Sequence, residues 1–174
     1  IMKEKEYEYK LLTGESLGKA FLEVTYFENA DALFSNSLEE AREKGLDKFD
    51  TFGIACYDKD KLFGLCGVRY GVNSKIEELS QVYYIVDSHY RRQGIAKRLL
   101  VTSILIEKEF HPTTTICTQI MPRNIASQKT IENLGFYRTG IKYYLDSIPR
   151  NREKYPIYTD IAKKDSLCQK YLKK

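Results

Sequence analysis

The stretch from Leu79 to Ile120 restricts the fold of this chain more than any other. It opens on Leu79–Val86, a run rich in Val, Tyr and Ile. A loop, Asp87–Gln93, leads into a helical pattern from Gly94 to Phe110. There Ala96, Leu100 and Ile104, with Val101 and Leu105, form one apolar stripe. Pro112 marks the end of the helix, and Thr113–Ile120 is again β-branched. Strand, helix, strand in this order is a β-α-β crossover, which sets two parallel strands in one sheet.

The residues before it read differently. Residues 7–13 form a short strand. Ala20, Phe21, Val24 and Phe27, then Leu33, Phe34, Leu38 and Ala41, recur at helical spacing. Asn29 to Asp31 divides these into two helices, and Gly45 caps the second. Phe52–Tyr57 and Leu62–Tyr70 are strands joined by a hairpin loop over Asp58–Lys61. After the crossover come a helix over Asn124–Leu134, stopped at Gly135, and strands over Phe136–Leu145 and Ile157–Ala162. The order β α α β β β α β α β β predicts an α/β (α+β mixed) domain: a mixed, mostly antiparallel sheet flanked by helices. No linker and no repeat divides the chain, so residues 1–174 read as one domain with a basic tail over 165–174.

Composition narrows the chemistry. The four cysteines, Cys56, Cys66, Cys117 and Cys168, lack metal-ligand spacing and read as thiols kept in a reducing compartment. With His89 and His111 as the only histidines, a His-based metal site or a Ser-His-Asp triad is poorly supplied, and no metal is expected. The charged opening IMKEKEYEYK shows no secretory signal, and no apolar run reaches the ~20 residues of a membrane helix. The expectation is a cytoplasmic protein with no membrane partner. Charge is uneven along the chain: 7 basic and 12 acidic residues over 1–50, then 12 and 8 over 51–141, then 9 and 4 over 142–174. An acidic face and a basic face would suit two ligands of opposite charge. The basic segment over 142–174 carries no nucleic-acid recognition motif. Oligomeric state is left open, a homodimer included.

The loop from Val86 to Ala96 carries the most specific signal, because it contains Arg91-Arg92-Gln93-Gly94-Ile95-Ala96, of the form Arg-x-x-Gly-x-Ala. A helix N-terminus offers unpaired N–H groups and the positive end of a dipole. Gly94 lets the backbone turn and approach a ligand, and Arg91, Arg92, Lys97 and Arg98 add charge. The combination is a pyrophosphate cradle, distinct from the phosphate loop of nucleotide triphosphatases and from the dinucleotide fingerprint. Downstream stands Asn124-Ile-Ala-Ser127, running through Gly135-Phe136. With both motifs in place, residues 50–162 resemble the GNAT superfamily of acetyl-CoA-dependent N-acetyltransferases.

The resemblance implies a sheet splayed in the middle. A pantetheine arm would pair with the strand end Tyr84-Ile85-Val86, and the pyrophosphate would rest on the amides of Arg92 to Ala96. Asn124 would reach the pantetheine, and Ser127 would line the same wall. Read without the family, Asn124 and Ser127 are a helix N-cap and its first turn. An N–H near Val86 would hold the oxyanion. The acid and base positions depart from the family. A tyrosine is expected where Ile131 stands, and a glutamate where Gln119 stands or, in histone-type members, where Ser80 stands. Glu78, of the same strand parity as Ser80, is the candidate base, and Tyr84, Tyr143 or Tyr144 the candidate acid. The implied cosubstrate is acetyl-CoA. The implied acceptor is a primary amine on a peptide N-terminus, a polyamine or a small molecule, bound by residues 14–50 and Tyr143–Pro156. The missing Glu and Tyr leave a second reading, a non-catalytic acyl-CoA-binding or sensing module.

Overall fold

The computed structural model describes residues 7–30, 52–71 and 78–150. The elements are β1 (Glu8–Leu12), α1 (Gly14–Val24), β2 (Phe52–Asp58), β3 (Lys61–Tyr70), β4 (Leu79–Val86), α2 (Ile95–Phe110), β5 (Thr115–Gln119), α3 (Ile125–Asn133), β6 (Tyr137–Thr139) and β7 (Lys142–Leu145). A single 3-10 turn, Ser88–Tyr90, sits between β4 and α2.

These strands form one sheet in the order β1-β2-β3-β4-β5-β7-β6. β1 to β4 pair antiparallel in chain order. The α2 crossover makes β4 and β5 parallel, as the strand-helix-strand pattern requires. β7 and β6 complete the sheet antiparallel to β5 and to each other.

The centre of the sheet is apolar on both faces because a helix covers each. Phe52, Ile54, Cys56, Cys66, Val68 and Val82 pack with Leu99, Leu100 and Ile104 of α2. Ala55, Leu65 and Ile85 pack with Leu17, Phe21 and Val24 of α1. This is why β2 and β3 read as continuous apolar runs instead of alternating ones. Burial at Leu17, Ala20, Phe21 and Val24 follows the helical spacing seen in the sequence.

Three sequence readings need correction. Phe136–Leu145 is a hairpin, not one strand: Thr139 pairs with Lys142, and Gly140, at φ 67°, opens the two-residue turn. The β-branched and aromatic residues on both sides hid that turn. The β2–β3 loop is only Lys59-Asp60, shorter than the polar run suggested. α1 ends at Val24, before Phe27. The second opening helix, the Ile157–Ala162 strand, Glu77, Cys168 and the 165–174 tail lie outside the described residues. Cys56 and Cys66 are buried free thiols, and Cys117 is a half-buried one.

Candidate functional site: a cleft through the sheet

β4 and β5 pair over only part of their length. Leu79, Ser80 and Gln81 face Thr115, Ile116 and Cys117, and there the ladder stops. β4 continues to Val86 beside β3, while β5 continues to Gln119 beside β7. The two strands therefore splay, and a cleft of about 1000 Å³ opens between them.

The register decides which backbone groups meet this gap. Gly71 N–H donates to the Leu79 carbonyl at 2.9 Å, and Asp87 N–H to the Phe63 carbonyl at 2.8 Å. Odd-numbered residues of β4 thus direct their N–H and C=O toward β3. By alternation, Val82, Tyr84 and Val86 direct theirs toward β5; the Val82 N–H closes the last bridge of the ladder, at Cys117, and the groups of Tyr84 and Val86 lie beyond its end. Mid-sheet backbone groups without a strand partner are a docking edge for an extended ligand that carries its own amides. Ile85, grouped with Tyr84 and Val86 from the sequence, pairs with Leu65 instead, and its side chain lines the cleft from the α1 face.

Side-chain parity makes the cleft a passage from one face of the sheet to the other. Val82, Tyr84 and Val86 belong to the α2 side. Tyr83 and Ile85 belong to the α1 side, where Phe21 meets the Tyr83 ring edge-on at 5.2 Å. Both sets line the cleft, together with Asn29 beyond α1 and Ala126, Ser127 and Thr130 of α3.

The mouth on the α2 side is the motif loop. Arg91, Arg92, Gly94, Ile95, Ala96 and Lys97 line it. Gly94 is the N-cap of α2 at φ 72°, ψ 13°, and no side chain caps the helix. The first intrahelical bond there is Arg98 N–H to the Gly94 carbonyl, at 3.1 Å. The N–H groups of Ile95, Ala96 and Lys97 therefore have no intrahelical acceptor. Arg92 also lies in the left-handed region, at φ 66°. Left-handed residues at a helix start turn successive N–H groups into one concavity, an anion nest. The charged groups lining the cleft among the described residues are Arg69, Arg91, Arg92 and Lys97.

Aromatic packing holds this loop. The Tyr90 ring stacks on Phe63 at 4.1 Å, and its hydroxyl donates to Asp58 at 2.9 Å. Tyr7 meets Phe63 at 4.7 Å and donates to Gln93 Oε1 at 2.8 Å. The Gln93 side chain is thus spent on holding the loop, and the residue is not among those that line the cleft. Neither Tyr7 nor Tyr90 stood out among 14 tyrosines in the sequence.

Asn124 and Ser127 serve as cap and wall together. Asn124 Oδ1 accepts Ser127 N–H at 3.2 Å as the α3 N-cap, and both residues line the cleft. The Tyr84 hydroxyl donates to the Ser127 carbonyl at 3.4 Å, a long bond. Burial pushes the Tyr84 phenol up to about 12. Gln119 lines the cleft, whereas Ile131 and Tyr143 are buried in the core.

Glu78 is not brought to the cleft. It precedes β4, and at ~3.3 Å per extended residue it lies roughly 25 Å from Val86. Its carboxylate accepts from Thr113 and, at 2.6 Å, from Tyr70. These two hydrogen bonds hold it below its ordinary range. Glu78 lies before β4 at the closed end of the β4–β5 pair, and the strand end that meets the gap is the opposite one. Ser80 is buried against Thr114 at 2.7 Å.

Solved structures superpose on most of this chain. The fold is that of the GNAT acetyltransferases. A GNAT-family acetyltransferase from Streptococcus pneumoniae matches with a TM-score of 0.54 and 16% identity, covering 80% of this chain and 96% of that one. Arabidopsis thaliana NAA60, solved with a bisubstrate analogue, gives 0.59 at 12% identity over 80% and 97% of the two chains. The PaiA N-acetyltransferase of Thermoplasma acidophilum, solved with coenzyme A, gives 0.58 at 14% over 80% and 96%. No protein-family model matches the chain, and no curated protein matches its sequence. Among the described residues no three His, Cys, Asp or Glu side chains are grouped to hold a metal, and no described helix is long and apolar enough to cross a membrane.

Proposed function

We propose that the protein transfers the acetyl group of acetyl-CoA to a primary amine by direct attack. One observation carries this reading: the interrupted β4–β5 ladder, with backbone groups of Tyr84 and Val86 facing the gap, runs straight into the uncapped N-terminus of α2. An extended arm bearing amides and ending in a pyrophosphate satisfies both halves, and pantetheine diphosphate is such a ligand. The pyrophosphate would accept from the N–H groups of Gly94 to Lys97, with Arg91 and Arg92 beside it. The Asn124 amide N–H2 would donate to a pantetheine carbonyl, since its Oδ1 is engaged with Ser127.

The thioester would then sit at the end of β4. Val86 N–H would donate to the carbonyl oxygen as it becomes an oxyanion. The amine would arrive through the α1-side mouth, between Phe21, Asn29 and Tyr83. A C–N bond forms and the C–S bond breaks. The amine gives one proton to water, and the thiolate takes one from the Tyr84 hydroxyl, which solvent restores. A phenol raised to about 12 stays protonated across the working range and is available as the donor.

No described residue lining the cleft is Asp or Glu, and in this reading water takes the proton of the amine. Freeing a lysine amine at neutral pH costs roughly 4–5 kcal/mol, an α-amine about 1 kcal/mol. This favours an α-amine, as on a peptide N-terminus, over a polyamine. Gln119 and Ile131 at the usual base and acid positions support the second reading, a non-catalytic acyl-CoA sensor. Free CoA release against a panel of peptides and small amines separates the two. Release with any amine supports transfer, and tight acetyl-CoA binding without release from the whole panel favours the sensor.

A further inference from the structure

Asn29 follows α1 and extends its side chain to the end of β4 from the α1 face. Its Nδ2 donates to the Val86 carbonyl at 3.0 Å, across 57 residues of sequence. This contact fixes which way the amide is turned. The Val86 carbonyl can only accept, so the nitrogen faces it and Oδ1 faces away. That Oδ1 is shielded from bulk water and has no hydrogen-bond partner among the described residues. Leaving a buried amide oxygen unsatisfied is costly, and one that lines a cleft is placed to accept from a ligand. Asn29 also lines the cleft.

The two ends of this amide have separate consequences at one point of the strand. Val86 directs both its N–H and its C=O into the gap, and the carbonyl would repel an oxyanion held on the adjacent N–H. Asn29 Nδ2 occupies that carbonyl and leaves the Val86 N–H as the group facing an incoming acyl oxygen. Asn29 Oδ1, at the other end of the same rigid amide, is an acceptor on the side from which a nucleophile enters. A neutral primary amine carries two N–H bonds and one lone pair. Donating one N–H to Oδ1 orients the lone pair, and that hydrogen bond strengthens as the nitrogen becomes positive on attack.

We propose that Asn29 is the acceptor-binding residue of this site, its Oδ1 receiving an N–H of the attacking amine. The inference rests on the acetyl-transfer reading, and its test separates the failure of one from the failure of the other. Two CoA thioethers serve as probes, with –CH2–C(=O)–NH–CH3 or –CH2–C(=O)–O–CH3 on sulfur. They differ only in N–H against O at the position of the acceptor nitrogen. Calorimetry should find the methylamide bound about tenfold tighter than the methyl ester by the wild-type chain. Asn29→Leu should abolish that preference while acetyl-CoA affinity stays within about twofold. Equal affinity of both probes for the wild type, with acetyl-CoA bound normally, would overturn the role of Asn29 alone. Failure of acetyl-CoA and both probes to bind would overturn the acyl-CoA reading, and the inference with it. The wild-type comparison stands even if the leucine variant does not fold.

Discussion

Gly94→Val perturbs the phosphate end of the cleft and nothing else the account depends on. Gly94 sits at φ 72°, ψ 13° as the N-cap of α2. A side chain in this left-handed region costs roughly 1–2 kcal/mol, and a β-branched one is at the upper end. If the backbone holds its conformation, the variant loses about that much stability, and the valine methyls stand where phosphate oxygens approach. If the backbone relaxes to negative φ, the N–H groups of Gly94 to Lys97 no longer converge. Losing one charge-assisted hydrogen bond costs about 1.5–3 kcal/mol, so acetyl-CoA affinity should fall roughly 10- to 150-fold. Calorimetry with acetyl-CoA and with S-acetylpantetheine, which lacks the pyrophosphate, isolates the effect. The loss should appear with acetyl-CoA and be absent with S-acetylpantetheine. Unchanged acetyl-CoA affinity in a folded variant, or an equal loss with both ligands, would refute the assignment of the α2 start to the pyrophosphate.

Other substitutions address the remaining parts of the account. Tyr84→Phe should lower kcat about 100- to 10,000-fold with acetyl-CoA affinity unchanged, because the backbone edge survives and only the proton donor is lost. A change under twofold in stopped-flow turnover would hand that role to water. Glu78→Gln should leave kcat/KM within threefold at every pH, since its carboxylate is bound by Tyr70 and Thr113 away from the cleft. A large loss that shrinks at high pH would make Glu78 a base after all. Glu107 on α2 is buried, with Oε1 on His111 at 2.7 Å and the Ser80 hydroxyl also acting on its carboxyl. Burial raises its carboxyl above 4.5, against the opposing pull of His111. A group raised in the folded state contributes stability that is complete below its unfolded pKa and lost as pH rises through the folded value. Tm should therefore decline from pH 4.5 upward more steeply in the wild type than in Glu107→Gln, and parallel Tm profiles would contradict the burial effect.

How much of this was legible in the sequence depended on whether a feature was local. The strand-helix-strand unit follows from periodicity and is present; of the stripe read on α2, Leu100, Val101 and Ile104 are buried, Ala96 and Leu105 are half-buried, and Leu99 and Ile106 complete the buried face. The uncapped glycine at the α2 start is present as well, because no side chain other than glycine's sits easily in that turn. The Asn124 cap is a contact of three residues and could be read directly. The splay itself was implied only by resemblance, since nothing in Leu79–Val86 or Thr113–Ile120 states where pairing stops. Non-local partners were invisible. Asn29 to Val86 spans 57 residues and Tyr7 to Gln93 spans 86, and neither residue type signals a partner. Glu78 shows the converse failure, for parity along a strand gives the face but not the end.

The central claim is that acetyl-CoA completes the interrupted sheet on the β4 edge. Amide hydrogen exchange, resolved by residue with and without saturating acetyl-CoA, tests it most directly. Exchange at Tyr84 and Val86 should slow on binding, with Gly94 to Lys97 protected alongside, while Tyr83 and Ile85, already paired to β3, should change little. Saturating acetyl-CoA that leaves Tyr84 and Val86 exchanging at their free rates would contradict the claim, whatever else the protein binds.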